Sequence, residues 1–254
     1  MTNYGLWLST AGMKMNDHRQ TLLSTNMANV DTVGFKHDLA VMRQRPIEAE
    51  ENPHGLEFHH PVLDGLPGGV NVRPVFHAFT QGPLIQTDKP LDIAIRGEGF
   101  FAVTDGNETR YTRNGQFLVN PQGELTIAAD NGRWSVLDEG GQVININRAA
   151  GAVALFDDGT VRQDNQIVSR LGLYTTDDKQ TLRKIGQNTF RATAEMRPYA
   201  GMYAAGSVEG SSFNMMSGLA SMIEAQRAYQ MNANLIRIQD ELTGRAITNV
   251  GRVA

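Results

Sequence analysis

The chain has 254 residues, 41% hydrophobic and 20% charged, with a formal net charge of −4 at pH 7. That length holds one large domain or two modest ones with a real core, and the mildly acidic balance argues against nucleic-acid binding through a basic field. Cysteine is absent, which excludes disulfides, thiolate metal sites and cysteine nucleophiles. No apolar run approaches the length of a bilayer-spanning helix, and the first residues lack the basic start and apolar core of a cleavable secretory signal.

The first predicted element is a helix over residues 4–29. Tyr4, Leu8, Ala11, Met15, His18, Leu22, Thr25 and Asn29 recur at steps of four and three. This narrow, heptad-like stripe suits a partner helix better than a thick core. Gly5 and Gly12 weaken the helix by about 1 kcal/mol each relative to Ala, so packing must supply most of its stability. The helix ends in Asn26-Met27-Ala28-Asn29-Val30-Asp31-Thr32-Val33-Gly34-Phe35-Lys36. Asn29 and Asp31 suit a helix end and turn. Gly34 allows a positive φ that its β-branched neighbour resists, and Phe35 comes next as an anchor.

Residues 37–75 read as an extended connector. Pro46, Pro53, Pro61, Pro67 and Pro74 break any long element, Gly65, Gly68 and Gly69 add turns, and Leu39, Val41 and Met42 extend a short helix before Pro46. His54, His59 and His60 lie here, with His77 beyond. Their spacing matches no helical His pair and no carboxylate cluster joins them, so surface or interface histidines are favoured over a metal site.

From Val70 to about Ala205 the pattern turns to short strands. Leu91, Ile93 and Ile95 alternate with Asp92 and Ala94, and Phe100–Val103 is a short apolar run. Asp105-Gly106, Asn114-Gly115, Pro121-Gln122-Gly123 and Asp157-Asp158-Gly159 mark turns between the strands beyond it. Leu171–Tyr174 and Asn188–Arg191 supply later strands. Many short strands with glycine turns predict an antiparallel β domain over residues 76–200. Gly97-Glu98-Gly99 lacks the rest of a phosphate loop. Asp88 and Asp92 fit a strand start better than a glycosidase pair, and no motif places a serine nucleophile. No catalytic, cofactor-binding or metal site is expected.

Residues 201–254 form a return connector and a second long helix, capped by Ser212 or Asn214 and stopped near Gly244. Ala246–Ala254 then extends the helix or meets a neighbour. Leu219, Met222, Ala225, Ala228, Met231, Leu235, Ile238 and Leu242 form its stripe, with Tyr229 beside them. The predicted class is α+β: amphipathic helices at the two ends, 1–36 and 201–254, pair as a coiled-coil-like stem, and the antiparallel β domain lies between.

Four stretches carry a family resemblance in order. Asn26, Ala28, Asn29, Val30, Thr32, Gly34, Phe35 and Lys36 resemble the N-terminal motif of the flagellar rod and hook axial proteins. Gln81–Ile95 is similar to that family's Gln-Gly-x-Leu segment running into Pro-Leu-Asp-x-Ala-Ile. Gly97–Phe101 with Tyr111–Gly115, and Ile223–Gln230, resemble its later landmarks. The pattern loosens at Val208–Asn214, where only part of a Leu-Glu-x-Ser-Asn-Val-like sequence is kept.

The resemblance implies a non-enzymatic structural subunit of the basal-body rod in the periplasmic space. It implies polymerisation through the terminal helices into an axial drive shaft and export channel, with Tyr4, Leu8, Ala11, Met15 and Leu22, and Leu219, Met222, Ala225, Tyr229, Leu235, Ile238 and Leu242, as assembly contacts. The implied partners are other copies, adjacent rod and hook proteins and the flagellar export apparatus, with no nucleic acid, no direct membrane insertion, no cofactor and no cleaved signal. Rod is favoured over hook because the chain is short. A soluble β-domain enzyme or carbohydrate-binding module is the contrasting class; a convergent pocket of titratable residues would mark it.

Overall fold

A computed structural model describes residues 2–44, 69–72, 75–186 and 188–251. Among the connector residues, the five prolines, His54, His59, His60, Gly65 and Gly68 lie outside these. The chain divides into two compact units, one of residues 1–27, 38–76 and 215–254, the other of residues 28–37 and 77–214. The class is α+β: two terminal helices and a β unit whose strand pairings, among the described residues, are all antiparallel.

The first unit contains helix α1, Thr2–Ala28, and helix α2, Met215–Gly251. The expected short helix at Leu39–Met42 is not formed. Asp38–Leu39 and Met42–Gln44 are strands, and the latter pairs with Val70–Val72. A helix so short cannot repay its nucleation, whereas paired strands satisfy each other's backbone groups. Nor does α2 stop at Gly244; it runs on to Gly251. One exposed glycine costs only about 1 kcal/mol, and Thr243 and Thr248 on either side donate back to Gln239 O and Gly244 O at 2.8 and 2.9 Å.

The second unit is built on a nine-stranded antiparallel sheet. Phe100–Thr104 runs through its middle, paired with Thr109–Thr112 across the Asp105-Gly106 turn and with Ser135–Val136 and Leu173–Thr175. The Asp105 carboxylate closes that turn by accepting the Asn107 and Glu108 N–H groups. Phe117–Val119 with Leu125–Ile127, and Val153–Leu155 with Thr160–Gln163, form the other expected hairpins. Ile93–Arg96 departs from its alternating pattern. Ile93, Ala94 and Ile95 are all buried, because both faces of this strand are covered. Phe101, Val103, Phe117, Leu125 and Trp134 join Ile93 and Ile95 in one core; Phe100, Leu182 and Phe190 form a second with Phe79.

Two strands come from the stretch expected to be connector. Met202–Ala205 pairs with Ile93–Arg96, and Ser207–Glu209 pairs with Leu84–Gln86. These pairings bring the segment before α2 into the β unit.

Candidate assembly site

The stretch after α1 is held by hydrogen bonds at nearly every step. Asn26, 1% exposed, reads the backbone of Asp38 with both ends of its amide: Oδ1 accepts from Asp38 N and Nδ2 donates to Asp38 O, each at 2.8 Å. Only an amide offers a donor and an acceptor at that spacing. In the turn itself Thr32 N–H donates to Asn29 O and Phe35 N–H to Thr32 O, both at 3.2 Å, and the Thr32 hydroxyl lies 3.2 Å from Asn29 Oδ1. Asn188 Nδ2 donates to Val33 O at 3.0 Å. Ala28 is exposed and Val30 half-buried.

Gly34 sits at φ +69°, and a Cβ added there would lie 2.6 Å from Arg113 C and Asn114 N. Phe35 is buried, with the Lys184 ammonium 3.9 Å from its ring centroid. The Lys184 ammonium also donates to Lys36 O.

Lys36 is 1% exposed. Its ammonium donates to Glu209 Oε1 at 2.5 Å and to Thr80 O at 2.7 Å. Glu209 is fully buried; it also accepts Gly82 N–H on Oε1 at 2.9 Å and Arg113 Nη1 on Oε2 at 3.1 Å. Arg113 Nη2 reaches Gly97 O at 2.8 Å, and its guanidinium lies 5.2 Å from the Phe100 ring centroid. One carboxylate thus serves two buried cations. Burial pushes the Lys36 and Arg113 pKa values down, and Glu209 partly restores both. Such a cluster adds little net stability, but removing one member leaves an uncompensated buried charge, at about 3–5 kcal/mol.

The backbone takes the same path. Gly34 N–H donates to Glu209 O at 2.7 Å, Ser212 N–H to Phe35 O at 3.0 Å, and His37 N–H to Ser212 Oγ at 3.1 Å. Ser212, expected as a helix cap, is therefore engaged by His37. The sequence singles out Lys36 but neither Arg113 nor Glu209 as its partners. The available signal is that each lies in a stretch resembling the axial-protein family.

Within the helical unit, α1 and α2 lie against each other antiparallel. A Cβ at Gly5 would come 2.7 Å from Gln239 Nε2, one at Gly12 would come 3.0 Å from Asn232 Oδ1, and Arg19 lies 3.9 Å from Glu224. Among the described residues, the buried positions are Ser9, Asn16 and Asn26 on α1 and Gly218 and Ala225 on α2. Asn16 and Asn232 each donate to the carbonyl four residues back, Gly12 O and Ala228 O, at 2.9 Å. Their amides are thereby satisfied inside their own helices.

The sequence-derived stripes sit differently. Leu8 is 41% exposed, and Tyr4, Ala11, Met15 and Leu22 are half-buried. On α2, Ala225 is buried and Met222 and Tyr229 half-buried, but Leu219, Met231, Leu235, Ile238 and Leu242 are 40, 63, 48, 52 and 58% exposed. Met231, Leu235, Ile238 and Leu242 form an outward apolar stripe at steps of four, three and four.

The other candidates have local explanations. Gly97-Glu98-Gly99 links two strands, and Glu98 meets Lys179 at 2.6 Å. Asp92 is buried and accepts the Thr87 hydroxyl at 2.8 Å. His77 packs edge-on against Phe79 and Phe190. Among the described residues no group of three or more His, Asp or Glu is placed to hold a metal ion, and no helix is long and apolar enough to cross a membrane.

Two family models match the chain: the flagellar hook protein FlgE/F/G D1 domain over residues 94–163, and the flagellar basal body rod FlgEFG protein C-terminal region over residues 204–249. Among curated proteins, the flagellar basal-body rod protein FlgF of Caulobacter vibrioides is 35% identical over 236 residues, covering 91% of both chains. The rod protein FlgG of Buchnera aphidicola from Acyrthosiphon pisum is 33% identical over 260 residues, 93% of this chain and 96% of its own. FlgG of Bacillus subtilis is 27% identical over 261 residues, 93% of this chain and 95% of its own.

Proposed function

We propose a role for this chain from the family it belongs to, the flagellar basal-body rod proteins, which are structural proteins and not enzymes: it polymerises helically through its terminal helices to build the axial shaft and the export channel inside it. In this reading α1 and α2 pair as a stem and form the inner tube, and the β unit forms an outer layer. Contacts that do not close a ring extend into a filament. Neighbours are further copies and adjacent rod and hook proteins. The chain reaches the periplasmic space through the flagellar export apparatus, without a cleaved signal.

The observation that carries the reading is the division of labour between helix faces. The small positions Gly5 and Gly12 are spent on the α1–α2 approach, and Ser9 and Asn16 beside them are buried. The apolar Met231–Leu242 stripe is left outward. A monomer gains nothing from exposing four large apolar residues in register; a polymer buries each at about 1.5–3 kcal/mol.

The test is Leu235→Asp with Ile238→Asp in the full chain. Both positions face outward, so helix pairing and the β unit should keep their wild-type melt. Incorporation into basal bodies should fail, because each interface would bury unpaired carboxylates. Normal incorporation of the double variant would overturn the assembly reading of this face.

A further inference from the structure

We infer that the Lys36–Glu209–Arg113 cluster is a clamp that fixes the end of α1 beside the start of α2 and so pre-organises the helix pair. The two segments it joins are 173 residues apart in sequence at the Lys36–Glu209 contact. Lys36 lies eight residues after the last residue of α1, and Glu209 six before the first of α2. Between them run three backbone links: Gly34 N–H to Glu209 O, Ser212 N–H to Phe35 O, and His37 N–H to Ser212 Oγ. All of these groups belong to the β unit. They therefore define, on that unit alone, a fixed junction from which both helices start.

The helix register agrees. Gly5 meets Gln239, Gly12 meets Asn232 and Arg19 approaches Glu224. Continuing that antiparallel register brings the last turn of α1 level with the first turn of α2, the two ends nearest the junction in sequence. A helix pair joined at its base closes as a hairpin does, with a high effective concentration of one strand for the other.

A buried carboxylate between two cations also suits a clamp better than a greasy contact. Charged hydrogen bonds are directional and tolerate one arrangement. Glu209 alone touches the turn after α1 through Lys36, the loop at Gly82 and the Arg113 loop, so it sets three segments at once.

The effect on the helices rests on the pairing proposed for the rod stem; the junction itself does not, and two readouts separate them. The first is amide exchange at Gly34 and Ser212 in the full chain, compared with amides of Phe100–Thr104. The second is the distance distribution between spin labels at Lys14→Cys and Gln230→Cys, both exposed and level in the register; the chain has no native cysteine to compete. Glu209→Gln should speed exchange at Gly34 and Ser212 by about a hundredfold and broaden the distance distribution, with Phe100–Thr104 still protected.

Should Glu209→Gln unfold the β unit, Lys36→Met with Arg113→Met and Glu209→Met removes all three charges at similar volume and decides the matter. That variant should keep a folded β unit and show the same two losses. Unchanged exchange at Gly34 and Ser212 in a folded variant overturns the clamp. A narrow, wild-type distance distribution in a variant whose two amides have opened overturns its action on the helices. Loss of the whole β unit in both variants also overturns the proposal, making the cluster a stability element only. A broad distribution in the unsubstituted chain instead refutes helix pairing, and the two amides still test the junction.

Discussion

Gly34→Ala should be the most damaging single-methyl change in the turn, and its cost can be built from parts. Alanine at φ +69° pays about 1–2 kcal/mol for the left-handed conformation. Its Cβ would stand 2.6 Å from Arg113 C and Asn114 N and 2.8 Å from Arg113 O. All three are backbone atoms on the core sheet's own connection, so no side chain can swing away, and relief requires a backbone shift at about 1–3 kcal/mol. Any such shift stretches the 2.7 Å bond from Gly34 N–H to Glu209 O, worth about 1 kcal/mol. The sum, about 3–6 kcal/mol, is a large part of a typical domain's ~5–15 kcal/mol.

Gly106 is the matched control. Its φ is +89°, yet nothing lies within 4 Å of the Cβ site, so Gly106→Ala carries only the conformational cost of about 1–2 kcal/mol. Urea unfolding of the β unit in both variants, with the m-value checked for constancy, gives the difference directly. Should Gly34→Ala come within about 1 kcal/mol of Gly106→Ala, the close approach to Arg113 does not govern this position and the motif glycine needs another explanation.

Asn26→Ala leaves the Asp38 N–H and C=O without their 2.8 Å partners. It should cost about 1–3 kcal/mol and speed exchange of the Asp38 amide, and Asn26→Asp, which keeps the acceptor alone, should fall between; an unchanged Asp38 amide in the alanine variant would refute the clip. Tyr203 donates to Leu171 O at 2.8 Å, and burial raises its phenol pKa well above the ordinary 10.0. Its folded form keeps a proton that the unfolded chain loses above pH 10, so its contribution to stability falls as pH rises past that point. The lowered pKa of Lys36 works in the opposite sense, but only below its ordinary 10.5. Tyr203→Phe should therefore be less stable than wild type at pH 8 and lose less between pH 8 and pH 11 in urea melts; an equal alkaline loss in both proteins would count against the assignment.

The β unit was readable because its signals are local. Asp105-Gly106 and Asp157-Asp158-Gly159 carry their turn chemistry within a few residues, and the hairpins formed there as expected. Met202–Ala205 lay where the strand pattern and the expected connector overlap, and Ser207–Glu209 was not readable as a strand. Their partners, Ile93–Arg96 and Leu84–Gln86, lie more than a hundred residues away in sequence, and a two-strand pairing at that distance leaves no periodic trace. Glu209 suffers most from this. A lone acid between Val208 and Gly210 looks like a solvated residue, and only the arrival of Lys36 and Arg113 makes its burial tolerable.

The helices teach a different lesson, because the side of α1 that approaches α2 is not its apolar stripe. The stripe through Tyr4, Leu8, Ala11 and Met15 marks a face suited to a partner helix, without saying which partner. The residues found on the side toward α2, or buried, are each one position later: Gly5, Ser9, Gly12 and Asn16. One step is about 100° of helix rotation, enough to exchange an inner face for a flank. A single stripe presumes one interface per helix. When a helix has two faces to satisfy, the strongly apolar one belongs with the contact that most needs hydrophobic energy, which is association between separate molecules that must also repay lost translational freedom. The weaker face suffices for a partner in the same chain, already held nearby. In the rod assembly proposed above, polarity along α1 and α2 would rank the two contacts by their entropic cost, and the apolar Met231–Leu242 stripe would fall to the costlier one.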